Sequence, residues 1–196
     1  MHKDALVEFF RNLVPLSAQD EEIIRARFVR LAVANKQYLL QAGEVSHQLF
    51  FVLSGCVRVV IVNNEGEDIS CYFAAEGHFV ADYHSFISGK AARYSLQCLE
   101  DCQLLVIDRK GLDELYSLTQ YGERVGRLIA ENLFLEIQDR LTSFYSETPE
   151  QRYLQFLAQY PHLVQRLPQH HIAAYIGVRP PSLSRIKRRA LEMAVR

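Results

Sequence analysis

The chain has 196 residues, 49% of them hydrophobic and 23% charged, with a formal net charge of −1. That length holds one large or two small domains with a sizeable core. No apolar run reaches the length of a membrane span, and the start, Met1-His2-Lys3-Asp4, has no signal-peptide pattern, so a cytoplasmic protein that does not meet a membrane is expected. The near-neutral balance hides an asymmetry. Residues 151–196 carry eight Lys/Arg and one acid, whereas residues 1–150 carry fourteen Lys/Arg and twenty-two acids. A basic end on an acidic body predicts that the end alone meets a polyanion. The four cysteines, Cys56, Cys71, Cys98 and Cys102, form no CxxC pair and read as reduced, mostly buried thiols. Cys98-x3-Cys102 is a weak metal or redox pair, with no further ligand at finger spacing.

In chain order, Ala5, Leu6, Phe9, Phe10 and Leu13 have helical spacing, and Pro15 ends that helix. Ser17-Ala18-Gln19-Asp20 has the form of a capping box and opens a second helix to about Phe28. From Arg30 to Asp108 the pattern turns to short β-rich runs: Leu31–Val33, Tyr38–Leu40, Leu49–Leu53, Val57–Val62, the returning face Ile69, Cys71 and Phe73, then Arg93–Cys98 and Gln103–Ile107. Asn63-Asn64-Glu65-Gly66-Glu67 is a hairpin signal, and Gly77 and Gly89 bracket an irregular stretch. So many short strands predict a sandwich or small barrel.

Asp108 begins a helical region. The stretch from about Tyr121 to Phe144 carries two apolar stripes. One runs Leu118, Tyr121, Val125, Leu128, Asn132, Leu135; the other runs Ile129, Leu133, Ile137, Leu141, Phe144. One stripe is enough for packing on the chain's own domain. The second predicts a partner, with Tyr121, Val125, Leu128, Asn132 and Leu135 as the dimer face and Asn132 setting register. A fully buried helix of a monomer is the alternative. Thr148, Pro149 and Gln151 supply an N-cap, an N1 proline and a capping-box partner, so a new domain starts near 147. The predicted domains are 1–118, 119–147 and 148–196.

Within the last of these, Leu167 to Arg189 reads as a helix-turn-helix. Pro168 suits a first turn, Ile172 and Ile176 share a face, and Gly177 falls where a left-handed residue is wanted. Pro180 and Pro181 open the next helix. Leu183 and Ile186 face back to the first. A Gly turn between two short helices, the second basic on its outside, fits a DNA major groove. A helical hairpin whose basic face is only solvated is the plain alternative.

Barrel, long helix, capped restart and helix-turn-helix together resemble the Crp/Fnr family of bacterial transcription regulators. In the barrel the resemblance rests on Gly43, on Leu49-Phe50-Phe51-Val52-Leu53-Ser54-Gly55-Cys56-Val57-Arg58-Val59, on Gly77-His78-Phe79 and on Leu104–Ile107. In the basic end it rests on Ile172, Ala173, Gly177, Leu183 and Ser184-Arg185-Ile186. The resemblance implies an α+β chain: an N-terminal double-stranded β-helix (jelly-roll) barrel of the cyclic-nucleotide-binding kind, a long dimerisation helix and a C-terminal winged helix-turn-helix. It also implies a homodimer that binds near-palindromic double-stranded DNA through a recognition helix at 180–190 and acts on RNA polymerase. Arg185 matches the family's base-reading arginine and would meet guanine O6/N7. Ser184 lies beside it. Ser182, Arg179, Lys187, Arg188 and Arg189 are phosphate candidates, and Gln169 and His170 would touch the backbone. Pro181 stands where the family commonly has a cytosine-reading Glu, which predicts a different target.

The family's cyclic-AMP cassette reads Gly-Glu-x-Gly, then Arg-Ser/Thr-Ala about ten residues after the Glu. Its carboxylate serves the ribose 2′-OH and its guanidinium the cyclic phosphate. Here the matching run is Ala81-Asp82-Tyr83-His84, then Ala91-Ala92-Arg93-Tyr94. Both glycines are gone, Asp82 is one methylene short, and Arg93 falls one residue late, which in a strand turns it to the other face. Cyclic nucleotide binding is therefore not expected. Asp82, Tyr83, His84 and Arg93 are left as candidates for another effector, or the pocket is filled; a cyclic-nucleotide-responsive regulator stays as the alternative. No Cys precedes Cys56, so the iron–sulfur sensor of some members is absent, and His78 and His84 are weak haem candidates. A cupin-like metal enzyme would need clustered His and carboxylates, and His47, His78 and His84 are too sparse. Neither enzymatic activity nor a metal or cofactor is expected. A third reading is a ligand-free structural barrel that only dimerises.

Overall fold

The computed structural model describes residues 3–194, with side chains through residue 190. Residues 1–2 and 195–196, at the ends of the first and last predicted domains, lie outside the described residues. The elements run α1 (Asp4–Arg11), α2 (Ala18–Arg27), β1 (Val29–Val33), β2 (Tyr38–Leu40), β3 (Gln48–Ser54), β4 (Val57–Val62), β5 (Asp68–Ala74), β6 (Phe79–Val80), α3 (Tyr83–Ser88), β7 (Ser95–Cys98), β8 (Cys102–Asp108), α4 (Arg109–Leu118), α5 (Gly122–Ser146), α6 (Pro149–Gln159), α7 (Gln169–Tyr175) and α8 (Pro180–Ala194). The chain is α+β, and its strands form a jelly roll. One sheet has the order β1-β8-β3-β6 and the other β2-β7-β4-β5. β3 pairs antiparallel with β8, Phe50 opposite Val106 and Phe51 opposite Leu105. β7 pairs antiparallel with β4, Leu96 opposite Val59. Phe50, Phe51 and Val52 are all buried, as a strand covered on both faces requires.

Contacts divide the chain into two units, residues 1–61 with 73–132 and residues 62–72 with 133–196. The division falls inside α5, not at 118 or 147 where the sequence pattern placed boundaries.

In the first unit, Leu6, Val7 and Phe10 of α1 and Ile24 and Phe28 close over Phe51, Leu105 and Ile107, with Leu112, Leu115 and Val125 completing the core. Phe79 lies among rings, 5.0 Å from Phe51, 5.2 Å from Phe9 and 6.2 Å from Phe28 between centroids. Each fully buried Phe or Leu contributes about 1.5–3 kcal/mol. The Ser17 hydroxyl accepts from Asp20 N–H at 3.1 Å and Asp20 accepts from Ser17 N–H at 3.0 Å, which is the capping box read from the sequence. The other Asp20 oxygen accepts from Gln120 N–H at 3.0 Å, so this cap also fastens the turn ahead of α5.

The second unit gathers the tip of the β4–β5 hairpin with the last part of α5 and with α6, α7 and α8. Tyr72 of the hairpin is hydrogen-bonded to Glu136 of α5, and burial first, then the Glu136 charge, pushes its hydroxyl pKa up. Between α6 and α7 the chain makes tight turns (Leu163 N–H to Tyr160 O at 3.0 Å, Leu167 N–H to Leu163 O at 2.9 Å) that bury Leu163 and Leu167. The described residues from 147 to 194 hold no strand. The wing hairpin implied by the resemblance is therefore not among them, and turns around buried leucines join α6 to α7.

Candidate nucleic-acid interface and effector cassette

α6 opens on a capping box, Thr148 N–H donating to Gln151 Oε1 at 2.9 Å and Gln151 N–H to Thr148 Oγ1 at 3.3 Å, with Pro149 in its first turn. Its buried face, Tyr153 and Phe156, meets a core that includes Ile172, Ala173, Tyr175, Ile176, Leu183, Ile186 and Ala190. Leu183, Ile186 and Ala190 recur at i, i+3, i+7, so α8 buries one stripe and presents the opposite one. Gly177 ends α7 with φ +75°, and a Cβ there would stand 2.8 Å from the Phe144 ring. Both the left-handed backbone and the close approach require glycine.

The outward row of α8 is Pro181, Ser184, Arg185 and Arg188, with Arg179 exposed just before it. Ser182 is half-buried, its N–H donating to Arg179 O at 3.0 Å. Two of the predicted phosphate ligands have partners within the unit. Lys187 donates to Gln169 Oε1 and lies 6.0 Å from the Tyr153 ring centre. Arg189 pairs with Glu150 at 3.3 Å. His170 is exposed at the start of α7, its ring 4.0 Å from that of the buried His171. Arg179, Ser184, Arg185 and Arg188 thus form an exposed basic strip, flanked by a second layer of Gln169, Lys187 and Arg189.

The four candidate effector residues differ in burial. Tyr83, His84 and Arg93 are exposed, whereas Asp82 is 3% exposed. One Asp82 oxygen caps α3 by accepting from Ser85 N–H at 2.9 Å. The other accepts from the N–H groups of Arg93 at 3.0 Å and Tyr94 at 3.3 Å. The Ser85 hydroxyl accepts from Ser46 N–H at 2.9 Å and donates to Lys90 O at 2.5 Å. Ala92, at the position of the cassette's guanidinium, is buried, and its N–H donates to Glu44 O at 2.7 Å. The carboxylate the cassette would turn to a ribose is directed at main-chain amides instead.

Residues 30–118 match the model of the cyclic nucleotide-binding domain family. No curated protein matches the chain in sequence. Among solved structures, the c-di-GMP-responsive global regulator CLP of Xanthomonas campestris is similar at 17% identity and TM-score 0.69, over 91% of this chain and 93% of that one. FixK2 of Bradyrhizobium japonicum is similar at 16% identity and TM-score 0.70, over 85% and 86%. A transcriptional regulator of the Crp/Fnr family from Eubacterium rectale is similar at 14% identity and TM-score 0.65, over 90% and 86%. The fold is that of the Crp/Fnr regulators.

In this Crp/Fnr fold α5 is the long helix, and its apolar residues divide differently from the sequence pattern. Val125 is 3% exposed in the core of the first unit, and Tyr121, Leu128 and Ile129 pack against that core. Three residues of the predicted dimer face, Tyr121, Val125 and Leu128, are therefore occupied within the chain. Asn132 and Leu135 are exposed, together with Ile137 and Leu141 of the other stripe and Phe134, which belonged to neither stripe; Phe134, Ile137 and Leu141 are each more than half exposed. His47, His78 and His84 lie on the surface, and among the described residues no group of three or more His, Cys, Asp or Glu is arranged to hold a metal. No described helix is long and apolar enough to cross a membrane.

Sequence reasoning passed over Arg140 and Arg152, and had Phe144 only as the end of an apolar stripe. The Arg140 guanidinium stacks on Tyr175 at 3.5 Å and on Phe144 at 4.5 Å. Arg152, 8% exposed, donates to Ile176 O at 2.8 Å and to Glu147 O at 2.6 Å. No local signal marked the two arginines, because on an amphipathic helix an arginine between apolar positions ordinarily faces solvent.

Proposed function

We propose that this protein is a DNA-binding transcription regulator of the Crp/Fnr type, acting as a cytoplasmic homodimer on a near-palindromic operator and through RNA polymerase, with no enzymatic activity. One observation carries the reading: α8 is held by a buried Leu183–Ile186–Ala190 stripe and presents Ser184, Arg185 and Arg188 outward on the basic end of an acidic chain. α7, the Gly177 turn and α8 then act as a helix-turn-helix, with α8 in the major groove. Arg185 reads guanine. Arg179 and Arg188 meet phosphates; Lys187, Arg189, Gln169, His170 and Ser182 support them from the second layer. The row Phe134, Ile137, Leu141, with Leu135 and Asn132 beside it, joins two copies at i, i+3, i+7 spacing along α5.

The effector pocket is closed to cyclic nucleotides in this reading. Asp82 is committed to three main-chain donors, and no guanidinium stands at position 92. No metal or cofactor takes part. Selection of binding sites from genomic or random DNA with the purified protein tests the function. Enrichment of a two-fold repeat with half-site centres about one helical turn, ~34 Å, apart is expected; retention of no sequence above bulk DNA overturns it. Calorimetry with cyclic AMP and cyclic GMP is expected to show no saturable heat, and micromolar saturation would refute the closed pocket.

A further inference from the structure

The C-terminal turns of α5, the connector, α6 and the end of α7 are joined by more than apolar packing. Arg140 lies between the Tyr175 and Phe144 rings and donates to the Tyr175 carbonyl. One turn further, Phe144 sits under the Arg152 guanidinium at 5.2 Å and against the backbone of Gly177. Arg152 donates to the Ile176 carbonyl at 2.8 Å and to the Glu147 carbonyl at 2.6 Å. Beneath them the buried Ser143 hydroxyl lies 2.6 Å from Glu147 and 3.1 Å from Gln155, and the Gln155 amide donates to Glu147 at 2.5 Å. The two guanidiniums thus end on carbonyls 175 and 176, at the C-terminus of α7, where a helix leaves acceptors without intrahelical donors. The short connector at 147–148, which by sequence alone would be a flexible link, is tied from both sides.

We propose that Arg140 and Arg152 are positioning residues for the DNA reader: they set the angle at which α7 and α8 leave α5, and with it the separation of the two reading helices in the dimer. Neither arginine lies in the exposed basic strip, so neither is needed to touch DNA. The stack needs a planar, delocalised cation with several fixed donors, which arginine supplies and lysine does not. This inference rests on the helix-turn-helix reading above.

The test uses the full-length protein and the variants Arg140→Lys and Arg152→Lys, each checked for native helix content and dimer mass. In the first arm, operators carrying the selected half-site are synthesised with half-site spacing varied by one base pair. The native protein is expected to prefer one spacing sharply. Both variants are expected to bind a single half-site within about twofold of native, yet lose at least tenfold on the best full site, with the spacing preference flattened. An unchanged spacing preference in both variants overturns the proposal, and so does full retention in Arg140→Lys, which would show that charge alone suffices. In the second arm, hydrogen exchange of the DNA-free protein follows amides 145–148 and 175–178. Arg152→Lys is expected to raise exchange there at least tenfold while amides 183–190 are unaffected; equal exchange in both segments overturns the proposal. If the native protein selects no DNA, the function reading fails, and the exchange arm still decides whether the two arginines hold the head.

Discussion

Asp82 shows how a single side chain changes role with its surroundings. In the family's cassette a carboxylate at this position serves a ribose; here it accepts three main-chain N–H groups and is buried. Each buried donor left unpaired costs about 1–3 kcal/mol. Asp82→Ala is therefore expected to lose at least about 2 kcal/mol in urea unfolding, and Asp82→Asn, which keeps one acceptor, a smaller amount. A loss below about 0.5 kcal/mol for the alanine variant would show that this network is not structural. Arg185 is the opposite case, exposed on the outward row of α8. Arg185→Ala is expected to cost about 1–3 kcal/mol of specific binding and to relax the preference for one base, with thermal stability unchanged. Equal affinity of variant and native protein for the selected operator would remove Arg185 as the reader. Residue chemistry at α8 was legible because its residue types, spacing and turn glycine agree. The role of Asp82 was left open because the same carboxylate serves a ligand or a backbone equally well.

Among the elements, α2 and α6 follow their sequence signals closely, since a capping box satisfies local donors whatever lies around it. The α2 cap carries a long-range contact as well. Burial works to raise the Asp20 pKa, but the N–H groups of Ser17 and Gln120 and the Ser17 hydroxyl outweigh it and hold the carboxyl below its ordinary value. A folded pKa below the unfolded one, about 3.9, stabilises the fold above that pH, and the contribution fades as pH falls through the folded value. Asp20→Asn is expected to lower the melting temperature at pH 7, with the deficit shrinking as pH drops below about 4. A deficit that stays constant down to pH 3 would show that the ionised carboxylate is not the stabilising species. α3 (Tyr83–Ser88) was not legible: six residues are too short for a helical period to stand out, and it forms because Asp82 caps it and Ser85 and Phe86 are buried.

At the scale of the whole molecule, the two stripes of α5 were visible in the sequence but their destinations were not. Val125 enters the first unit's core, and Phe134, Ile137 and Leu141 remain exposed. Ile137→Glu combined with Leu141→Glu is expected to turn the proposed dimer into a folded monomer in sedimentation and to weaken full-operator binding at least tenfold, because each copy then binds one half-site without the benefit of linkage. A variant that sediments as the dimer would exclude this row as the interface. Both glutamates sit at exposed positions, so the fold of each unit is expected to hold.

By itself the sequence determined what depends on short spacing: the capped helices, the β-rich middle, the Gly177 turn, the basic outward row of α8 and the charge split between the two ends. These are local because capping, left-handed backbone and amphipathic period act within a few residues. The tertiary structure decided which face of α5 meets the core, and that Asp82 is turned onto amides eleven and twelve residues away. It alone placed Arg140 and Arg152 against carbonyls 175 and 176. Those outcomes depend on groups distant in sequence competing for one buried donor, acceptor or surface, and no window of neighbouring residues contains that competition.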